Sequence, residues 1–86
     1  MASFADKIFL LEQQNKYLDI IKLCNDEINK QPNDWNVYFH KAMAQFGLKK
    51  FPHALLTINK SIECSRNAFN LVCKGNILWR LNDDTG

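Results

Sequence analysis

YFHKAMAQFGLKKFPHALLTINKSI, residues 38–62, reads as two amphipathic helices joined by a tight turn. Tyr38, Ala42 and Gln45 lie along one face of the first helix. Phe51, Ala54, Leu55, Ile58 and Ile62 stripe the second at helical spacing. Gly47 to Lys50 supply the turn. Pro52 stands at the start of the second helix, where its missing N–H and fixed φ are tolerated.

Working outward from this unit, the same grammar recurs. On the N-terminal side, Ser3 is placed to cap a first helix running to about Gln13, with Phe4, Ile8 and Leu11 on one face. Asn15-Lys16 break that run. A second helix follows with Tyr17, Ile20, Ile21, Cys24 and Ile28, and ends at Gln31-Pro32-Asn33-Asp34. There Pro32 cannot continue a helix, and Asn33 or Asp34 can cap the next. The third helix spans Trp35 to Phe46 and the fourth Phe51 to Cys64. Ser65 to Asn67 form a capped break, and a fifth helix runs from Ala68 to about Leu81. NDDTG, residues 82–86, then reads as a turn. Only three Gly and two Pro occur in 86 residues and no strand-like alternation is sustained, so the expected fold class is all-α with five helices.

The elements also repeat. Tyr17 and Phe51 each open a second helix, and they stand 34 residues apart. Ile20 and Ala54, Cys24 and Ile58, and Ile28 and Ile62 keep that offset. Phe4, Lys7, Ile8 and Leu11 map by 34 onto Tyr38, Lys41, Ala42 and Gln45, and these map by 33 onto Leu71, Lys74, Gly75 and Leu78. A helix–turn–helix period of this length marks a repeat architecture.

On these residues the chain resembles the tetratricopeptide repeat (TPR) family, whose pattern is W-x2-L-G-x2-Y, then A-x3-F, then P. Tyr38-x2-Lys41-Ala42-x2-Gln45 and Leu71-x2-Lys74-Gly75-x2-Leu78 take the first part, Ala54-x3-Ile58 the second, and Pro32 closes the first repeat. Ile8 and Ile20 are large where the family is small, Arg66 stands where a second Pro would be, and no Trp opens a helix at the usual place. The resemblance implies a right-handed superhelix: repeat 1 at about 1–34, repeat 2 at about 35–67, and the first helix of a third repeat at 68–82. That unfinished third pair, with Leu71, Leu78 and Leu81 on an end that a solenoid normally keeps polar, suggests a fragment of a longer array or self-association.

Carrying the family's concave groove over by position selects Ala2, Ala5, Phe9, Glu12 and Gln13 in the first repeat. It selects Asn36, Phe39, Met43 and Phe46, with His40 alongside, in the second, and Phe69, Val72, Asn76, Trp79 and Arg80 in the third. Two readings of this stripe stay open: packing between neighbouring repeats, or an aromatic-lined trough for a partner peptide or helix. Met43 would lend such a trough adaptability. The chaperone-tail clamp known in one TPR subclass needs Lys, Asn and Arg at places that here hold Ala5, Phe9, His40, Phe69 and Cys73, so that specificity is not expected.

Other function classes find little. A net charge of +2 with scattered lysines argues against nucleic acid. No apolar run approaches the ~20 residues of a membrane span. The N-terminus MASFADKIFLLEQQ lacks the layout of a signal peptide. Cys24, Cys64 and Cys73 are odd in number and without CxxC spacing, and His40 and His53 are isolated. Reduced thiols, a cytoplasmic setting, and no metal or cofactor are therefore expected. No phosphate loop, nucleophile elbow or HExxH occurs, so no enzyme is expected. The reading is a non-catalytic protein-interaction module, adaptor- or co-chaperone-like. The alternatives are a self-associating segment of a longer array and a small TPR chaperone for secreted bacterial proteins.

Overall fold

The structure, a computed structural model, describes residues 3–85; Ala2 of the expected stripe and Gly86 of the expected turn lie outside the described residues. Five helices follow one another: α1 (Phe4–Gln13), α2 (Tyr17–Lys30), α3 (Trp35–Gly47), α4 (Phe51–Cys64) and α5 (Ala68–Thr85). No strand occurs among the described residues.

Local chemistry sets the helix starts. Ser3 accepts from the Asp6 N–H at 3.2 Å while the Asp6 carboxylate accepts from the Ser3 N–H, a complete capping box. Asp34 caps α3 through the Asn36 N–H at 3.0 Å, and Asn67 accepts from the Asn70 N–H at 2.9 Å as α5 begins.

The 34-residue period is visible in the backbone itself. Asn15 and Lys49 are the two non-glycine residues with positive φ among those described, at 55° and 62°. Around them the hydrogen bonds match: Lys16 N–H to Leu11 C=O at 3.0 Å, and Lys50 N–H to Gln45 C=O at 2.9 Å. Both turns are thus closed by a left-handed residue, a conformation that asparagine tolerates better than lysine.

One detail differs from the sequence reading. Gly47 is the last residue of α3 and not part of the turn. Its role is close packing, because a Cβ there would stand 2.6 Å from the Tyr17 ring.

Consecutive helices pack on one another, and α3 also meets α5. The outline is elongated, 46 × 27 × 19 Å, as expected when each unit touches only its neighbours. The helix α3 is the spine. Val37 and Ala44 enter one core cluster with Ile8, Ile20 and Cys24, and Ala42 enters a second with Phe51, Ala54, Ile58 and Ile77. The packing of successive helices is consistent with a helical repeat.

The last helix departs from expectation in its length. It continues to Thr85, since Asn82 to Thr85 include neither Gly nor Pro to stop it. It buries Asn70 and Ile77, while Leu71 and Leu78, expected on the open end of the stack, are 42% and 40% exposed. Asn70 explains the rotation. Its side-chain N–H groups reach the Ser65 and Ser61 carbonyls at 2.7 and 3.3 Å, and its Oδ1 lies 2.7 Å from Ser61 Oγ. Ser61 Oγ lies 2.8 Å from the Trp35 carbonyl as well, so its single proton serves one acceptor at a time. A buried amide must be satisfied, and only this face of α5 satisfies it.

Candidate functional site

A cleft of about 400 Å³ opens between α3 and α5. Phe39, Met43 and Phe46 form one wall; Ala68, Phe69, Val72, Cys73 and Asn76 form the other. On α3 the first three recur at i, i+4 and i+7, and on α5 Phe69, Val72, Cys73 and Asn76 recur at i, i+3, i+4 and i+7. Each helix therefore turns one continuous strip toward the other.

Aromatic contacts frame both ends. At one end Trp35 stacks on Phe69 at 6.4 Å with 15° between planes, and Phe39 meets both edge-on at 5.8 and 6.4 Å. At the other, Phe46 meets Phe51 edge-on at 5.3 Å. The Arg80 guanidinium lies 5.4 Å from the Phe51 centroid and 6.0 Å from those of Phe46 and Trp79. A cation over aromatic faces is attracted by their quadrupoles. It also holds the C-terminal half of α5 against the start of α4.

The two open readings of the aromatic stripe divide by residue. Phe39 and Phe46 are half-buried and pack against the second core cluster, so they belong to the core and the cleft floor together. Phe69, Val72 and Met43 are 67%, 65% and 44% exposed and belong to the rim. Asn76 is exposed and is the one amide side chain of the lining.

The remaining residues of the stripe sit elsewhere. Phe9 and Gln13 on α1 are exposed and do not line this cleft. Asn36 lies in the first turn of α3 beside its cap. His40 faces α1, its Nδ1 2.9 Å from Glu12 Oε2. Trp79 is 64% exposed and touches Arg80 beyond the lining. Trp35, Ala68 and Cys73 were not picked from the sequence as site residues. Cys73 and Ala68 continue the strip of α5, and Trp35 lies one turn before Phe39 on α3, so helical spacing was the available signal.

A second concavity of about 370 Å³ adjoins this one and shares Met43 and Phe46 with it, reaching Glu12, Asn15, Tyr17 and Ile20. Burial pushes the Cys73 thiol up to about 11 and the fully buried Cys24 thiol up to about 12, so both are held neutral. Among the described residues no group of three or more His, Cys, Asp or Glu could hold a metal ion, and no helix is long and apolar enough to cross a membrane.

Fold and cleft together define an all-α chain whose consecutive helices pack in a way consistent with a helical repeat, with an apolar trough between α3 and α5. No protein-family model, curated protein or solved structure matches it.

Proposed function

We propose that the chain is a non-catalytic TPR-type interaction module whose α3–α5 cleft takes the bulky apolar side chains of a partner peptide or helix. The observation that carries this reading is the cleft itself: about 400 Å³, lined by six residues of the groove stripe, with large apolar side chains left at its rim. Water at such a surface is displaced favourably by apolar groups, at roughly 25 cal/mol per Å² before the costs of association. Asn76 is suited to anchor a partner's backbone amide, and Met43 to adjust to different side-chain shapes. The adjoining concavity gives the partner a path toward α1, with Met43 and Phe46 common to both. In function this is an adaptor or co-chaperone-like scaffold, working in the cytoplasm, where three free thiols stay reduced.

The test is a peptide library enriched in Phe, Leu and Trp, with hits titrated by tryptophan fluorescence. Val72→Glu is expected to weaken binding at least tenfold, about 1.4 kcal/mol. Leu56→Glu, on the 72% exposed face of α4, leaves it unchanged. Equal binding by the Val72→Glu chain, or no hit in such a library, would sink the reading.

A further inference from the structure

One end of the cleft runs up to an arginine. Asn76 and Arg80 stand at i and i+4 on α5, so Arg80 continues the strip of Phe69, Val72, Cys73 and Asn76 by one more turn. Its guanidinium carbon lies 6.0 Å from the centroid of Phe46, part of the opposite wall, and 5.4 Å from that of Phe51. Such ring contacts engage the charge but leave the five N–H donors to find acceptors of their own. Nε is buried and has no hydrogen-bond partner among the described residues. An unpaired buried donor on a charged group is costly, and each one in a folded chain calls for an explanation.

The surrounding charges point the same way. No side chain of the cleft lining is an acid or a base, and the far end is framed by Trp35 and Phe69. At the Arg80 end, Lys49 and Lys50 are exposed, and Lys50 is the cap residue that leads into Phe51. Asp83, one turn beyond Arg80, is exposed. The ion pairs among the described residues are His40–Glu12 and Lys60–Glu63, and Arg80 belongs to neither. Asn76 adds an exposed amide as a second donor. Residues four apart on a helix stand about 5–6 Å from Cβ to Cβ, close enough for one carboxylate to meet both.

We propose that the partner segment carries an acidic side chain beside its bulky apolar residues, and that its carboxylate docks at Arg80 and Asn76. The proposal rests on the cleft being a peptide site and names the chemistry of the peptide. A guanidinium pairs with a carboxylate through parallel N–H donors, which adds direction as well as affinity. The apolar side chains fill the trough, and the carboxylate sets which way the segment lies along it. Lys49 and Lys50 favour the approach of an acidic segment at low ionic strength.

The test uses the apolar peptide library in three matched sets, which differ in carrying Glu, Gln or Lys at each distance from the apolar residues. On the parent chain, Glu at one distance is expected to bind about tenfold more tightly than Gln, with Lys no better than Gln. The advantage shrinks as salt is raised. Asn76→Asp, at an exposed position, keeps the parent's helical circular dichroism and is expected to abolish the preference for Glu. Arg80→Gln is judged by the ratio of Glu to Gln binding, because any loosening of α5 weakens both peptides together. That ratio is expected to fall to about one. Glu and Gln peptides that bind alike at every distance overturn the proposal and leave the cleft as an apolar peptide site. A preference for Glu that survives Arg80→Gln or Asn76→Asp overturns it too. No binding in any of the three sets sinks the peptide site and this proposal together.

Discussion

Asn70→Ala is the substitution most diagnostic of how α5 is held. Asn70 is fully buried, and its amide makes two contacts of 2.7 Å and one of 3.3 Å to Ser61 and Ser65. Each neutral hydrogen bond contributes about 1 kcal/mol net, and a stranded buried acceptor costs about 1–3 kcal/mol more. The Ser61 carbonyl still accepts from the Ser65 N–H at 2.9 Å, and the Ser61 hydroxyl can turn wholly to Trp35, so the stranded group is the Ser65 carbonyl. The sum is about 2–4 kcal/mol against the docking of α5. As α5 is the last helix of an elongated stack, the loss is expected first as local opening, with α1 to α4 still packed. Amide hydrogen exchange reads it directly. Protection around Ile77 should fall roughly 30- to 1000-fold, while that of α2 and α3 changes little. Partner binding in the cleft should weaken in step, since α5 forms one of its walls. A fall of less than about threefold at Ile77 would refute the view that this amide network orients α5.

Two glycines should respond oppositely to the same change. Gly75→Ala is expected to stabilise by about 0.5–1 kcal/mol through helix propensity. Gly47→Ala is expected to destabilise despite the same gain, because the Tyr17 ring 2.6 Å away must move; thermal unfolding of both variants decides it. The buried thiols predict an alkaline limb. Their pKa values are raised from 9.0 to about 12 for Cys24 and about 11 for Cys73, so the folded chain binds those protons more tightly than the unfolded one. The stability this contributes is complete below pH 9 and is lost as pH rises through 11 to 12. Cys24→Ala should therefore keep a larger share of its neutral-pH stability above pH 9 than the parent does, measured by denaturant unfolding at each pH. In the folded chain, thiol reagents should reach Cys64, which is partly exposed, well before Cys24.

By itself the sequence determined where helices begin and how they repeat. Caps and breakers are local: Ser3, Asp34, Asn67 and Pro52 act on backbone groups a few residues away, so the starts of all five helices were legible. The 34-residue spacing was legible for the same reason and reappears in the paired turns at Asn15 and Lys49. Helical spacing likewise picked six residues of the cleft, Phe39, Met43, Phe46, Phe69, Val72 and Asn76, because each strip lies on one helix. What the tertiary structure alone decided is how those helices are rotated and which of them face each other. The sequence reading left Leu71 and Leu78 on the open end of α5 but did not pick out Asn70 or Ile77 as core; the buried amide of Asn70 bonds carbonyls of α4 and its outgoing turn, and that contact turns Ile77 inward and Leu71 outward. Phe9, Gln13 and Trp79 share the spacing of the cleft residues yet lie outside its walls, since helical period fixes a face on its own helix and says nothing of what that face meets.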